Sequence, residues 1–347
     1  MSLPAPWSSP LAASLLAPLG WGWAAVGGMR RALYRRGLKR GRRLPAPTIS
    51  VGNLTVGGTG KTPMVAHLLA TLPDEFRPPL VLSRGYGDAL VIDGAAANDE
   101  GHLLRRRFPD LLLAAAPDRA AAAAPFFARE TPPACVILDD GAQHLQIERD
   151  LEIMLLDVRS LVGPRRVLPA GPWREGLGAA AAADLLVLTR GEEVSAEDLA
   201  TAEASLVRHF PRTPRFRARH APRRLRSLGG TVEDLGVLRG RRVGLVCGIA
   251  RPESFRRVVE ELGAEVAFAL SRPDHRAFDA ALGEDLRRRV AASGADLVLT
   301  TEKDAPKILA ADEAAWPDLR VLEIDLELDD EPRFRELVLA RLREAAR

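Results

Sequence analysis

The chain has 347 residues, an apolar fraction of 47%, a charged fraction of 27% and a formal net charge of +3. Those totals exclude a disordered polyelectrolyte and a polytopic membrane protein, and so small a net charge gives no general affinity for nucleic acid. The length allows two domains of ordinary size, while Cys135 and Cys247 are too few and too scattered for a disulfide framework or a zinc site, which suits a reducing compartment.

From Leu11 to Gly28 there is no charge, and Trp21 and Trp23 lie within the run. The next segment holds Arg30, Arg31, Arg35, Arg36, Lys39, Arg40, Arg42 and Arg43. Apolar first and basic second is the reverse of a secretory signal peptide, so no cleavage is expected. The run is interrupted by Pro18 and Gly20 and falls short of the roughly 20 apolar residues that a membrane span needs. A helix starting near Met29 would gather Leu33, Tyr34, Gly37 and Leu38 on one side and leave the arginines on the rest. That pattern predicts a helix lying in the interface of an anionic membrane with tryptophans at headgroup depth; the alternative is a helix packed on the protein with a solvated basic face.

The next stretch organises the chain. Thr48-Ile49-Ser50-Val51 reads as a strand, Thr55-Val56-Gly57-Gly58-Thr59-Gly60-Lys61-Thr62 as a glycine-rich turn, and Pro63 to Leu69 as an apolar helical pattern. Strand, loop and helix are the context of a phosphate-cradling loop, in which backbone N–H groups and the helix N-terminus face the anion. Lys61 would reach the β- and γ-phosphates of ATP, and the Thr62 hydroxyl would ligate Mg²⁺. Lysine occurs only at positions 39, 61, 303 and 307, which makes a chance lysine here improbable. The usual pattern has Gly where this chain has Thr55.

Apolar runs then alternate with helical stretches: Leu80–Leu82, Val136–Leu138, Ile153–Leu156, Leu185–Leu188, Val243–Val246, Val266–Leu270, Leu297–Leu299 and Leu322–Ile324. Such alternation predicts an α/β fold of mostly parallel sheets with helices on both faces and ligands at the carboxyl ends of the strands. The Pro- and Arg-rich stretch from Pro211 to Gly230 breaks the rhythm and reads as a hinge. The expected organisation is a membrane-surface segment over 1–47, a nucleotide-binding core over 48–210, a hinge over 211–235 and a second α/β lobe over 236–347.

Residues just past strand ends carry the chemistry. Arg84, and Tyr86 between Gly85 and Gly87, are placed for a phosphorylated sugar. Asp139 and Asp140 end an apolar strand downstream of the phosphate loop, the Walker B arrangement, and either could hold Mg²⁺. Adjacent carboxylates raise one another's pKa unless a cation neutralises them. Asp99-Glu100 and Arg174-Glu175 are further charged pairs in loops, and His275 follows Asp274 in a polar turn.

Taken together, seven blocks resemble the tetraacyldisaccharide 4'-kinase family of lipid A synthesis. They are Ile49–Pro63, Ser83–Gly87, Asp139–His144, Leu168–Glu175, Gly248–Pro252, Pro273–His275 and Thr301–Asp304, and Thr55 is what that family shows in its first loop slot. Two features depart from its pattern: Asn98 and Gly101 flank the Asp-Glu pair, and Ala142 replaces a larger aromatic. The resemblance implies two α/β/α lobes, the first P-loop NTPase-like and the second smaller, joined by a two-stranded hinge, with an N-terminal membrane-associated helix at the cytoplasmic side of the inner membrane. It implies ATP and Mg²⁺ as cofactors, an acylated disaccharide lipid as acceptor and an anionic membrane surface as partner. It also implies Asp99 as the general base with His275 orienting it, and Arg174 neutralising developing charge. Asp139, Asp140, Gln143 and Glu175 would line the metal and γ-phosphate region, with Arg84, Tyr86, Glu100 and His144 toward the sugar. The competing reading is a partner-dependent switch ATPase, but that class carries a Lys where this chain has Val56.

Overall fold

The computed structural model describes residues 7, 9–84, 91–92, 99–108, 110–249, 251–272, 278–305, 308 and 316–347, with the backbone alone at 91, 92, 99, 100 and 102. Two helices, Pro10–Leu15 (α1) and Ala17–Arg35 (α2), precede the strand Thr48–Asn53 (β1). Then follow Lys61–Thr71 (α3), Pro79–Ser83 (β2), Val91–Ile92 (β3), Asp99–Arg107 (α4), Leu112–Ala115 (β4), Arg119–Phe127 (α5), Cys135–Asp139 (β5), Leu151–Asp157 (β6), Val158–Val162 (α6), Leu185–Thr189 (β7), Ala196–His209 (α7) and the long strand Arg215–Ser227 (β8). The chain continues through Val232–Glu233 (β9), Arg242–Cys247 (β10), Pro252–Glu261 (α8), Glu265–Ser271 (β11), Ala280–Ser293 (α9), Leu297–Thr301 (β12), Leu319–Leu328 (β13) and Glu331–Ala345 (α10).

These elements form two compact units, one of Pro4–His220 with Leu326–Arg347 and one built from Ala221–Asp325. In the larger unit the strand order is β3-β4-β2-β5-β1-β6-β7-β8. Its pairings are parallel except that of β3 with β4. Both faces are covered, because successive side chains along a strand point to opposite sides. Ile49, Val51, Ile137, Ile153 and Leu155 pack with Met64, Leu68 and Leu69 of α3 and with Phe334, Val338 and Leu342 of α10. On the other face Val136 and Leu138 meet Phe126 of α5, and Met154 and Leu156 meet Leu206 of α7. The smaller unit has the parallel order β11-β10-β12-β13. Its two faces are covered by Phe255 and Val259 of α8 and by Leu282 and Leu286 of α9.

All eight strands expected from the apolar runs are present. The stretch read as a hinge is largely the strand β8, and the chain crosses between the units within β8 and again within β13. The C-terminal lobe expected over 236–347 ends earlier, since Leu326–Arg347 belongs to the larger unit through the i, i+4, i+8 stripe of Phe334, Val338 and Leu342. The helix placed near Met29 starts at Ala17 instead. Pro18 lies in its first turn, where the missing N–H costs nothing, and Gly20 is buried against the Val167 carbonyl. No helix among the described residues is long and apolar enough to cross a membrane.

Candidate active site

The site is built on the carboxyl ends of the neighbouring strands β1 and β5, which run parallel with Val51 opposite Asp139. Past β1 the chain makes a tight loop, with Gly57 at φ +102° and Gly60 at φ +93°, conformations that strongly favour glycine. Asn53 Nδ2 donates to the Thr55 carbonyl and to Thr59 Oγ1, both at 2.8 Å, and Thr189 Oγ1 donates to the Thr59 carbonyl at 3.1 Å. The loop is thus tied from inside, and Arg190 also donates to the Gly58 carbonyl. Gly60 leads into α3, which has no side-chain cap, so the amides of its first turn around Lys61 and Thr62 are available to an anion.

Opposite this loop lies the acidic turn Asp139 to His144. On the face of β1 away from α3 stand Ser50 and Gly52, and the turn packs on them. A Cβ on Gly52 would come within 2.6 Å of the Ala142 backbone nitrogen, and one on Gly141 within 2.9 Å of Leu138 Cβ. Small residues here therefore fix the distance between the phosphate loop and the acidic turn. Gly52→Ala is expected to lower stability by about 1–3 kcal/mol, the usual cost of overpacking, and to impair nucleotide binding as well. Denaturant unfolding and ATP titration of the same sample check both effects.

Arg149 clamps the turn from behind. Anchored on the buried Glu152 at 2.6 Å, it donates to the carbonyls of His144 at 3.0 Å and Ile147 at 3.3 Å. Asp140 adopts φ +53°, a left-handed conformation that a short polar residue tolerates. Its carboxylate receives Arg174 Nη1 at 2.9 and 2.7 Å and lies 3.5 Å from Lys61 Nζ. Burial pushes the pKa of Asp140 up, but Lys61, Arg174 and Arg119 outweigh it and hold the group below the usual carboxylate range. Gln143 accepts from Arg174 at 3.2 Å and donates to the Asn53 carbonyl at 3.0 Å, linking the turn to the root of the loop.

Arg174 is held by backbone. Its N–H donates to the Leu54 carbonyl at 2.7 Å, the Val56 N–H donates to the Pro172 carbonyl at 2.8 Å, and Thr55 bridges to Trp173. The Trp173 side chain is fully buried and fixes this strip. The structure thus brings together Lys61, Asp140, Gln143 and Arg174, with Thr62 in the first turn of α3 and Asp139 buried at the end of β5. Hydroxyl and carboxylate oxygens are the donors Mg²⁺ prefers. Among the described residues no three His, Cys, Asp or Glu side chains are grouped as a cage. That suits an ion held by one or two protein oxygens and the phosphates of its nucleotide.

Glu175, expected beside the metal, gives its carboxylate to Arg31 of α2, with Nη2 to Oε1 at 3.1 Å and Nε to Oε2. A metal role would require that pair to open. His144 follows the acidic turn; burial, with Arg119, Arg149 and Arg30 nearby, lowers its pKa to about 4, so the ring is neutral at physiological pH. Arg84 is exposed just past β2 and is near enough to Arg119 to lower its pKa. Tyr86 and His275 lie outside the described residues, as do the side chains of Asp99 and Glu100; the backbone of Asp99 opens α4.

Sequence reasoning missed two cations. Arg119, 3% exposed, donates to the Asp140 carbonyl at 3.3 Å. Its signal was an arginine at the first residue of a helix, where the helix dipole disfavours positive charge. Arg31 was taken for part of a basic face, although it continues the spacing Gly20, Ala24, Gly27.

A glycine loop between β1 and α3, facing an aspartate at the end of the adjacent parallel strand, defines a P-loop nucleoside triphosphate enzyme. The lysine and arginine converging on Asp140 are placed for work on phosphate. The sequence model of the tetraacyldisaccharide-1-P 4'-kinase family matches residues 12–343, and the chain belongs to that family. A tetraacyldisaccharide 4'-kinase of Anaeromyxobacter dehalogenans (strain 2CP-C) is 40% identical over 321 residues, covering 88% of this chain and 84% of the relative. One from Geobacter sulfurreducens is 39% identical over 297 residues, covering 81% and 80%. The crystal structure of LpxK from Aquifex aeolicus in complex with ATP superposes with a TM-score of 0.75 at 29% identity, covering 95% of this chain and 99% of that one.

Proposed function

We propose that this chain transfers the γ-phosphate of ATP to the 4'-hydroxyl of an acylated glucosamine disaccharide 1-phosphate at the cytoplasmic face of the inner membrane. The observation that carries the reading is the convergence of Lys61 and Arg174 on Asp140 beside an uncapped helix N-terminus. Phosphoryl transfer asks a protein mainly for positioning and charge neutralisation, and this arrangement supplies both. Lys61 and the amides of the loop take the β- and γ-phosphates, while Arg174, held on Asp140 through Nη1, presents its remaining N–H groups to the charge that develops on the equatorial oxygens. Thr62 and Asp139 would hold Mg²⁺, which when bound would neutralise phosphate oxygens as a Lewis acid. Asp99 accepts the proton of the sugar hydroxyl, an assignment supported by its place in the family's motif.

The N-terminal helices support the lipid half of the proposal. Leu11, Leu15, Leu19, Trp21, Trp23, Val26 and Met29 are exposed, more apolar surface than solvent favours. The arginines that follow add on the order of 1 kcal/mol each near an anionic surface. Incubating the purified protein with labelled ATP, Mg²⁺ and the acylated disaccharide, then resolving the lipids by chromatography, tests the reaction. A labelled lipid is expected. ATP turnover that ignores the lipid and answers instead to a protein or DNA partner would favour a switch ATPase. The protein should also be recovered with membranes and released by salt; retention at every ionic strength would show that apolar insertion, not charge, holds it.

A further inference from the structure

Two successive carbonyls of the phosphate loop are held from behind by two successive residues at the end of β7. Thr189, buried at the last position of that strand, donates to the Thr59 carbonyl at 3.1 Å. Arg190, the next residue, donates through Nη2 to the Gly58 carbonyl. In a trans peptide the C=O of one residue and the N–H of the next point to opposite sides, and the peptides of this loop are trans. A Gly58 carbonyl drawn toward Arg190 therefore turns the Thr59 N–H to the other side of the loop, and Thr189 does the same for the Gly60 N–H. A third contact closes the back of the loop, since a Cβ on Gly60 would come within 3.2 Å of His220 Nε2. Burial, with Arg190 nearby, lowers the His220 pKa to about 4, so that ring adds no charge at physiological pH.

Arg190 holds its place against local preference. It adopts φ +62° and ψ 30°, a left-handed conformation that side chains rarely take and glycine accepts freely. Its side chain is only 18% exposed, and Nε is buried without a partner among the described residues. Nη1 stands 3.9 Å from Asp157 Oδ2, but that carboxylate already receives Arg159 through Nε at 2.8 Å and through Nη2. The Gly58 carbonyl is thus the one hydrogen-bond acceptor of the Arg190 guanidinium among the described residues. An unfavourable backbone conformation that carries a poorly paired, mostly buried cation onto a ligand-binding loop points to a function for that cation.

We propose that Arg190 is a positioning residue of the nucleotide site: from behind the loop it fixes the Gly58 carbonyl, which presents the Thr59 N–H to the phosphates of ATP and, by polarising the peptide between them, strengthens that N–H as a donor. Its role rests on the binding of ATP by the loop and not on which alcohol accepts the phosphate.

Arg190→Gly and Arg190→Ala in the full chain test this. Both remove the guanidinium, but only glycine relieves the left-handed backbone, so Arg190→Gly should unfold at the wild-type temperature or above it and Arg190→Ala below Arg190→Gly. In ATP–Mg²⁺ affinity the two should agree, each weakened about 10-fold, the scale of one hydrogen bond to a charged group. The KM for ATP should rise with the loss of affinity, while kcat at saturating ATP stays within about threefold of wild type. AMP lacks the β- and γ-phosphates that the loop takes, and in competition with ATP it should bind both variants as it binds wild type. The proposal is overturned if Arg190→Gly binds ATP as wild type does, if affinity follows unfolding temperature across the two variants, or if AMP weakens by the same factor as ATP, which would place Arg190 on the nucleoside instead. Should the wild type bind ATP yet phosphorylate no lipid, the functional reading fails, while the ATP and AMP affinities still decide the role of Arg190.

Discussion

Replacing Lys61 with alanine is expected to depress phosphotransfer by about 10³-fold or more, the largest loss of any single substitution in this site. Lys61 is the first residue of α3, directly after the left-handed Gly60, so its Cα is fixed by the loop and its ammonium by Asp140 at 3.5 Å. Its side chain is 11% exposed, which leaves little water to screen the charge that it offers to a phosphate. Among the described residues the neighbouring cations are already engaged. Arg174 is bound to Asp140 and Gln143, Arg190 to the Gly58 carbonyl, and Arg119 is buried against the Asp140 carbonyl. Folding should change little, because Asp140 keeps both bonds from Arg174. Steady-state rates with labelled ATP, set beside thermal unfolding, separate the two effects. A variant that turns over within tenfold of wild type would remove Lys61 from the phosphate clamp.

What the sequence reveals of this site follows from locality. The phosphate loop and the acidic turn are short segments in which one strand end, a few glycines and one or two charged residues act together, so their spacing alone carries the chemistry. Strand β8 was illegible for a different reason. Its arginines argue against a strand only while their partners are unknown: Arg217 pairs with Glu203, Arg219 with Glu327, Arg223 with Asp325, and Arg224 and Arg226 with Glu323. Phe216 and Ala218 still alternate inward, a period-2 signal that the prolines and arginines concealed. The docked face of α2 was hidden likewise. Glycine and alanine within an apolar run look like filler for a membrane, and their value as a close-contact stripe depends on Val167 and Glu175, well over a hundred residues on. Glu175 shows the converse limit: a motif delivered it to the right region, while its actual partner, Arg31, comes from outside the motif.

Asp139 and Asp140 are adjacent in sequence, and their environments give them different work. The oxygens of Asp140 are occupied, with Arg174 at 2.9 and 2.7 Å and Lys61 at 3.5 Å, and the group is held ionised by those cations. A divalent ion placed against it would meet two positive charges at close range. Asp139 is 2% exposed at the end of β5, beside β1, the strand whose loop leads into α3 and Thr62. Its Walker B place at the end of β5 makes Asp139 the carboxylate expected to hold Mg²⁺, directly or through water, with Arg119 as a nearby cation, and Asp140 the one that orients Lys61 and Arg174. Asp139→Asn should lower turnover by about 10³-fold and raise the Mg²⁺ concentration needed for half-maximal rate, since an amide oxygen is neutral and binds a hard cation weakly. Asp140→Asn should cost less, about 10- to 100-fold, and leave the Mg²⁺ requirement unchanged, because Lys61 and Arg174 lose alignment while the ion keeps its carboxylate. Titrating Mg²⁺ at saturating ATP for both variants distinguishes them. A shift in the Asp140 variant alone would reverse the assignment, and the cations now on Asp140 would then have to give way whenever the metal–nucleotide complex binds.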